Sequence, residues 1–188
     1  MAADTKSTLL AEAEHLVCTV GYAVFSFADL SERVGLRKAS IHHHFPTKEA
    51  LGNALIDSYL ERFIAELDAL SGRRMETKSR LLAYGDFFAG ALSGGQMPLC
   101  GALAADAAYL PASMQQRVEK FFKVHLDWLE QELRRGVAKG EVRSDLKVSR
   151  AALQILSALQ GSSIVAWALK DPSVIRPTLR ALLDGFDA

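Results

Sequence analysis

Apolar residues recur at intervals of three and four positions along almost the whole chain. This spacing places side chains on one face of an α-helix, whereas a half-buried strand would alternate strictly, and no segment alternates in that way. The first run contains Leu9, Ala13, Leu16 and Val20, and Gly21 follows it. The hydrophobic pattern therefore predicts an all-α fold.

Caps, glycines and prolines divide this pattern into a series of helices. Ser26 to Asp29 has the form of a capping box, and Pro46-Thr47 is expected to end one helix and cap the next. The segment 71–74 is the best candidate for a linker. The predicted helices comprise a first helix ending at Gly21, helices over 27–34, 38–44, 47–70, 77–92 and 99–109, a helix with one apolar face from Val118 to Val137, and helices over 148–169 and 175–186.

The helix predicted over 148–169 is apolar on nearly every side and carries small residues between the large ones. A helix of this kind must be covered on every side. The last helix has a single apolar stripe that includes Ile175, Leu179 and Leu183. This pair is suited to a symmetric interface of four helices, two from each of two subunits.

Residues 26–45 carry the most informative local pattern, which is a short helix, a glycine and a second short helix. Ser31 lies four residues before Gly35, and Ile41 lies six residues after it. A helix-turn-helix needs a small residue where its helices cross, conformational freedom at the turn and an apolar anchor on the second helix. That second helix can enter the major groove of DNA, where each base pair shows a distinct pattern of hydrogen-bonding groups.

Charge separates the second short helix from the residues before it. From Arg37 to Lys48 the chain has three basic residues, three histidines, two hydroxyl side chains and no acid, whereas residues 1–36 have five acids and two basic residues. This acid-free strip favours a small surface that contacts phosphates. Over the whole protein 22 basic residues balance 22 acidic ones, which argues against a large, indiscriminate DNA-binding surface.

The stretch from Thr8 to Leu51 resembles the DNA-binding domain of the tetracycline-repressor-like (TetR) regulators. The matching pieces are Gly21-Tyr22, the segment from Phe27 to Gly35 and, above all, the string HHFPTKEAL at 43–51. The resemblance implies a ligand-responsive repressor. Such a protein acts as a homodimer on a palindromic operator in double-stranded DNA and responds to a small-molecule inducer.

The same resemblance implies a division of functions along the chain. A three-helix helix-turn-helix domain for DNA binding would occupy residues 1–50, with a long connecting helix over 47–70. A helical bundle over 71–188 would bind the ligand, and its two C-terminal helices would form the dimer.

Roles in DNA binding follow from the resemblance, position by position. Two residues are expected to cap helices and bond phosphate, four to face bases or backbone, and two to hold phosphates. These are Ser26 and Thr47; Arg37, Lys38, Ala39 and Ser40; and His43 and Lys48. Phe27 and His42 complete the set, although the family usually has tyrosine where His42 stands. Arg37 replaces a commonly small residue and is the best candidate to contact guanine.

Aromatic and polar residues of the second domain could line a ligand pocket, because pockets in helix bundles are mostly apolar with a few orienting polar groups. The alternative is that rings at helical spacing simply form the core. The candidate lining residues are Phe87, Phe88, Cys100, Leu103, Tyr109, Phe121, Phe122, His125, Trp128, Gln160 and Trp167.

Both cysteines have a simple structural interpretation as small apolar residues in helices. Cys18 is expected to be inert. Cys100 follows Pro98 at a predicted helix start, where the helix dipole could lower its pKa, so a reactive, sensing thiol is the alternative to a packing role. Two cysteines are too few for a disulfide framework and suit a reducing cytoplasm.

Other classes of protein are disfavoured. No glycine-rich phosphate loop, metal-ligand spacing or G-x-S-x-G motif indicates an enzyme, so we predict no catalytic residue and no cofactor. His42 to His44 point about 100° apart on a helix and cannot converge on one metal ion. The N-terminus lacks a signal-peptide core and no run of about 18 apolar residues indicates a membrane span, which predicts a cytoplasmic protein. A helical adaptor with a purely structural helix pair remains the second candidate.

Overall fold

The computed structural model describes the backbone of residues 2–187 and the side chains of residues 5–187. Helices account for nearly all of the regular structure in this part of the chain, and its one β-type contact is an isolated bridge between Val142 and Asp187. The predicted all-α fold is confirmed. The helices are α1 (Ala2–Val20), α2 (Phe27–Val34), α3 (Lys38–His44), α4 (Lys48–Ser71), α5 (Thr77–Ser93), α6 (Leu99–Ala105), α7 (Ala112–Ala138), α8 (Val148–Leu169) and α9 (Ile175–Asp184).

The end of α6 differs from the prediction. The sequence pattern predicts one helix over 99–109, whereas α6 ends at Ala105 and a separate 3₁₀ turn covers Ala107–Tyr109. The N–H of Asp106 is shared between the carbonyls of Ala102 and Leu103, at 3.3 and 3.1 Å. This tightening is common in the last turn of a helix, and Pro111 prevents the helix from resuming at once.

Packing divides the chain into two compact units. The first contains Met1–Arg62 and Pro98–Phe121, and the second contains Phe63–Met97 and Phe122–Ala188. Both α4 and α7 therefore contribute residues to each unit. The predicted division of functions between an N-terminal and a C-terminal domain stays a prediction.

The first unit has a core built from its short helices. α1 packs against α2 and α6, and α2 packs against α3. Leu9 of α1, Leu30 of α2, Ile41 of α3 and Leu51 of α4 are all fully buried. Each short helix is therefore held by at least one large apolar side chain, since helices of seven or eight residues are not stable alone.

The second unit is organised around α5, α8 and α9, which pack on one another. Gly85 lies where α5 comes closest to the others. A Cβ atom at this position would lie 2.5 Å from a side-chain carbon of Leu179 and 3.5 Å from one of Leu159. A side chain at this position would therefore force Leu179 to move, and glycine allows the three helices to approach closely.

A buried ion pair fixes the last turn of α4 within the second unit. Nη1 of Arg80 lies 3.1 Å from Oε2 of Glu132, and Nε of Arg80 donates to the carbonyl of Leu70 at 3.2 Å. The hydroxyl of Ser71 donates to Glu132 at 3.1 Å and accepts from Nε1 of Trp128 at 2.8 Å. Both charges are almost completely buried and each has hydrogen-bond partners, as a buried pair requires.

α8 is the one described helix that is long and apolar enough to cross a membrane, with a mean hydropathy of 1.4 over 18 residues. One of its sides, however, packs on α5 and α9 and buries Ile155, Leu156 and Leu159. The opposite side leaves Leu153 and Ile164 exposed, at 55% and 62%. α8 is therefore a helix of the protein core on one side, and its other side presents an exposed apolar surface.

Candidate functional site

A capping box starts α2, as the sequence predicts. The Ser26 hydroxyl accepts hydrogen bonds from the backbone N–H groups of Ala28 and Asp29, at 3.2 and 3.4 Å. In return the Asp29 carboxylate accepts from the N–H of Ser26 at 2.7 Å. The Ser26 hydroxyl also donates to this carboxylate at 2.8 Å, and the hydrogen bonds from the hydroxyl and the N–H of Ser26 hold the pKa of Asp29 below its ordinary value. The capping box therefore fixes the residue at which α2 begins.

The turn between α2 and α3 uses the three positions singled out in the sequence. Gly35 adopts the left-handed conformation with φ of 66°, which a residue with a Cβ atom rarely adopts. The Ser31 hydroxyl donates to the carbonyl of Leu36 at 2.5 Å, while Ile41 is fully buried. The small residue, the flexible turn and the apolar anchor of a helix-turn-helix are therefore all present.

The outer face of α3 is exposed and carries no acid. Lys38 to Ser40 occupy its first turn, and Arg37 precedes them as the N-cap residue. The candidate DNA-contacting residues that are exposed at or beside this helix are Arg37, Lys38, Ala39, Ser40, His42 and His43. With Ile41 facing the core, the polar residues of α3 form one outward surface.

His42 is held in place from two sides. Its ring meets the ring of Phe27 edge to face, with 4.9 Å between centroids, and its Nδ1 lies 3.2 Å from the carbonyl oxygen of Pro46. If Nδ1 carries the proton and donates it to this carbonyl, Nε2 is the ring nitrogen left for another partner. The contact also explains the place of Phe27 in the candidate set, because Phe27 orients a neighbour.

The start of α4 combines a cap with an unusual lysine environment. The Thr47 hydroxyl accepts a hydrogen bond from the N–H of Ala50 at 3.0 Å, so Thr47 caps the helix. The Lys48 ammonium lies over the rings of Tyr22 and Phe25, 4.6 and 4.5 Å from their centroids. Partial burial lowers the pKa of Lys48. The rings attract the cation electrostatically and hold it at the edge of the surface.

Two residues beside this surface were missed by the sequence analysis. Lys6 of α1 places its ammonium 5.9 Å from the ring centroid of Phe45, the residue that follows α3. Asp106 accepts a hydrogen bond from the N–H of Ala23 at 3.2 Å. Lys6 was hidden in an acid-rich stretch, and nothing local in the sequence links Asp106 to Ala23.

Comparison with known proteins identifies the type of this helix-turn-helix. The profile described as "Bacterial regulatory proteins, tetR family" matches residues 9–55. A regulator of the TetR family from Agrobacterium tumefaciens superposes with a TM-score of 0.94 at 29% identity, over 100% of both chains. The chain therefore carries a DNA-binding segment of the TetR type over residues 9–55 and has the fold of a TetR-family regulator over its whole length. It is a DNA-binding transcriptional regulator.

Further relatives of this regulator have the same kind of description. The HTH-type transcriptional repressor ComR of Escherichia coli (strain K12) is 27% identical over 154 residues, which cover 78% of this chain and 71% of ComR. A TetR regulator from Legionella pneumophila superposes with a TM-score of 0.88 at 29% identity, over 97% of both chains. Similarity therefore extends well beyond the DNA-binding segment.

Three of the predicted pocket residues of the regulator contact one tyrosine that was not predicted, and a fourth lies beside one of the three. The ring of Tyr84 stacks on Trp128 at 5.0 Å between centroids and lies 5.6 Å from Phe88. Its hydroxyl is hydrogen-bonded to Nδ1 of His125, whose ring lies 6.4 Å from that of Phe122. Burial lowers the pKa of His125 to about 3, so the imidazole is neutral and accepts from the hydroxyl.

Most of the remaining pocket candidates lie elsewhere, and Phe87 is the exception. Cys100 and Leu103 of α6 belong to the core of the first unit, and Tyr109 of the 3₁₀ turn is 72% exposed. Gln160 and Trp167 lie on α8, half-buried and 39% exposed, respectively. Of the two other predicted rings, Phe87 lies 6.4 Å from Tyr84, and Phe121 lies 5.5 Å from Tyr59 in the first unit.

The environment of both cysteines favours the packing role. Cys18 and Cys100 are buried free thiols. Burial raises the pKa of Cys18 to about 12 and that of Cys100 well above its ordinary value. Thiolate is the nucleophilic form, so thiols in this state react slowly near neutral pH.

Within residues 5–187, no group of histidine, cysteine and acidic side chains is arranged to hold a metal ion.

Proposed function

We propose that this regulator is a ligand-responsive repressor that binds a palindromic DNA operator as a homodimer in the cytoplasm. The observation that carries the proposal is the exposed, acid-free face of α3, held on a turn that is fixed by Ser31 and Gly35. A helix presented in this way fits the width of the major groove.

Two kinds of DNA contact are assigned to this surface. Arg37, at the N-terminal end of α3, is assigned to base edges, because guanine offers two acceptors to a guanidinium group. His43, Thr47 and Lys48 are assigned to phosphates, together with the capping residue Ser26. Phosphate contacts position the helix, while base contacts select the sequence.

The homodimer is assigned to the open side of α8 together with α9. Leu153, Ile164 and Val165 are each at least half exposed on this side, and Ser157 and Gly161 lie between them. Small residues among large apolar ones allow two helices to approach closely. A C2 dimer of this kind would present two copies of α3 to the two half-sites of a palindrome.

Ligand sensing is assigned to the second unit, where the rings around Tyr84 supply apolar surface and His125 a polar group. An inducer that shifts the protein from mostly bound to mostly free must favour the free state by roughly 10⁴-fold. Regulation by binding, without catalysis, is the expected mode of action.

In vitro selection from random duplex DNA at moderate salt tests the proposal. Purified full-length protein should enrich a palindrome whose half-sites lie about one helical turn apart. Enrichment of a single, asymmetric site would contradict the homodimer. Folded, dimeric and ligand-free protein that enriches no sequence would instead favour the helical adaptor, and a fragment without residues 1–50 would then show whether ligand binding needs that segment.

A further inference from the structure

An open cleft in the second unit lies between the ends of α5 and α8. Its volume is about 400 Å³, within the range of small-molecule sites. The residues that line it are Leu92, Gly95, Ala166, Trp167, Lys170 and Pro172. None of these residues belongs to the ring cluster around Tyr84, so the cleft is a separate feature of the fold.

Trp167 gives the cleft an aromatic face. Trp167 is 39% exposed, so part of its surface is open to solvent. Leu92 and Ala166 line the same cleft and add apolar surface to it. The exposed part of the indole offers a surface on which a flat ligand ring can stack.

Lys170 is the one charged residue that lines the cleft, and its backbone has a conformation that is unfavourable for lysine. Its φ is 54°, and it is the one residue other than glycine with positive φ in the described chain. Its N–H and that of Asp171 close the end of α8 by bonding the carbonyl of Ala166, a position that favours glycine. A costly backbone conformation that is kept with a charged side chain points to a use for that side chain.

The charge at the cleft is available to a ligand. Lys170 forms no ion pair with any residue in the described part of the chain. The carboxylate of its neighbour Asp171 accepts a hydrogen bond from the N–H of Ser173 at 3.0 Å and so is already engaged. An anionic group on a ligand would thus meet one cation and an otherwise apolar wall.

We propose that this cleft binds aromatic carboxylates, with the ring of the ligand on Trp167 and its carboxylate at the Lys170 ammonium. Charge complementarity and the exposed indole select this class over neutral or cationic ligands. Binding of a carboxylate in this cleft does not require the protein to bind DNA, so a negative result for the ligand would not bear on DNA binding.

Fluorine NMR of protein labelled with 5-fluorotryptophan tests the proposal directly. The chain has two tryptophans, so two resonances are expected, and Trp167→Phe assigns them. Titration with 1-naphthoate should shift the Trp167 resonance saturably and leave the Trp128 resonance unchanged. The neutral 1-naphthamide, which has the same ring system, should bind at least about tenfold more weakly.

Variants of Lys170 separate charge from folding. Lys170→Gly removes the ammonium and relieves the backbone, so it should keep or raise the melting temperature while weakening 1-naphthoate about tenfold. Lys147→Gln, at the other end of α8, is the matched control and should bind normally. Equal binding of naphthoate and naphthamide, or normal binding by Lys170→Gly, would overturn the proposal. So would a Trp167 resonance that moves with protein concentration and does not respond to 1-naphthoate, which would assign the cleft to a subunit contact.

Discussion

The carboxylate of Asp106 accepts a hydrogen bond from the backbone N–H of Ala23, a residue 83 positions away along the chain. The bond joins the end of α6 to the turn between α1 and α2. Gly21, in the same turn, has a φ of 91°, and a Cβ atom there would lie 3.0 Å from the same carboxylate. The negative charge of Asp106 also favours the charged form of Lys48, against the effect of burial. The carboxylate of Asp106 thus both bonds the turn between α1 and α2 and favours the charged form of Lys48.

Replacing Asp106 tests whether this bond orders the turn. Asp106→Ala leaves the N–H of Ala23 without its acceptor, and a hydrogen bond of this kind contributes about 1 kcal/mol. Amide exchange at Ala23 should therefore accelerate about fivefold relative to the wild type, as measured by NMR. Asp106→Asn keeps an acceptor oxygen and should show a smaller change. Equal exchange rates in all three proteins would show that the bond does not order the turn.

Replacing Arg37 and replacing Lys48 should change DNA binding in different ways. Arg37→Ala should relax the preference at one base pair of each half-site, at a cost of about 1–3 kcal/mol for the preferred base. Lys48→Ala should weaken binding to all sequences and lower the slope of log K against log salt by about two, one phosphate contact for each subunit. Binding titrations against the selected operator and its single-base variants, at several salt concentrations, measure both effects.

The same titrations can contradict these assignments. A Lys48→Ala variant with the salt slope of the wild type would place the Lys48 ammonium away from phosphate and leave it a purely internal role over Tyr22 and Phe25. An Arg37→Ala variant that loses affinity equally for all base variants would make Arg37 a phosphate contact.

Subunit association should depend on the open side of α8. Ile164→Glu places a charge in the proposed apolar interface, where it would face its symmetry mate, and should weaken the dimer about a hundredfold. Ser144→Glu adds the same charge at an exposed position outside the helices and should leave the dimer intact. Analytical ultracentrifugation over a range of concentrations compares the two variants, and identical dissociation constants would remove α8 from the interface.

The buried pair of Arg80 and Glu132 should matter far more for stability than an exposed pair on the same helix. Glu132→Gln leaves the buried guanidinium uncompensated and should lower the free energy of unfolding by about 3–5 kcal/mol. Glu130→Gln breaks the exposed contact with Arg134 and should cost less than about 0.5 kcal/mol. Urea denaturation measures both, and similar values for the two variants would show that Glu132 is dispensable.

Acid should weaken the fold through His125. Its imidazole has a pKa of about 3 in the folded protein against an ordinary value of 6.5, so the unfolded chain binds the extra proton first. Its contribution is complete above pH 6.5 and declines as the pH falls toward 3, by about 2 kcal/mol between pH 7 and 5. His125→Gln should remove this part of the pH dependence of urea unfolding. A variant with an unchanged pH profile would assign the acid sensitivity to other groups.

Local chemistry explains why so much of the DNA-binding segment could be predicted from the sequence. α2 and α3 have the predicted bounds, since a capping box at Ser26, a glycine at 35 and a proline at 46 fix their ends through contacts between near neighbours. α8 was likewise predicted with its observed bounds. In these places the residues that decide the structure lie within a few positions of one another.

Contacts between distant segments could not be predicted in this way. The bond from Ala23 to Asp106 and the meeting of Tyr84 with Trp128 depend on how helices pack, and hydrophobic spacing does not specify which rings meet. α6 was predicted too long for the same reason, because the end at Asp106 is fixed by packing as well as by sequence. Tyr109 was grouped with buried rings, although the 3₁₀ turn leaves its side chain exposed.

The acid-free strip from Arg37 to Lys48 has a consequence for how the protein searches a chromosome. The strip carries three positive charges in a protein that is neutral overall, so the other residues carry a net charge of three negative. Orientations that turn the rest of the protein toward DNA therefore gain, on average, no electrostatic attraction, and non-specific binding is expected to rest mainly on the strip itself. Weak non-specific binding leaves more molecules free to occupy the operator among the many competing sites.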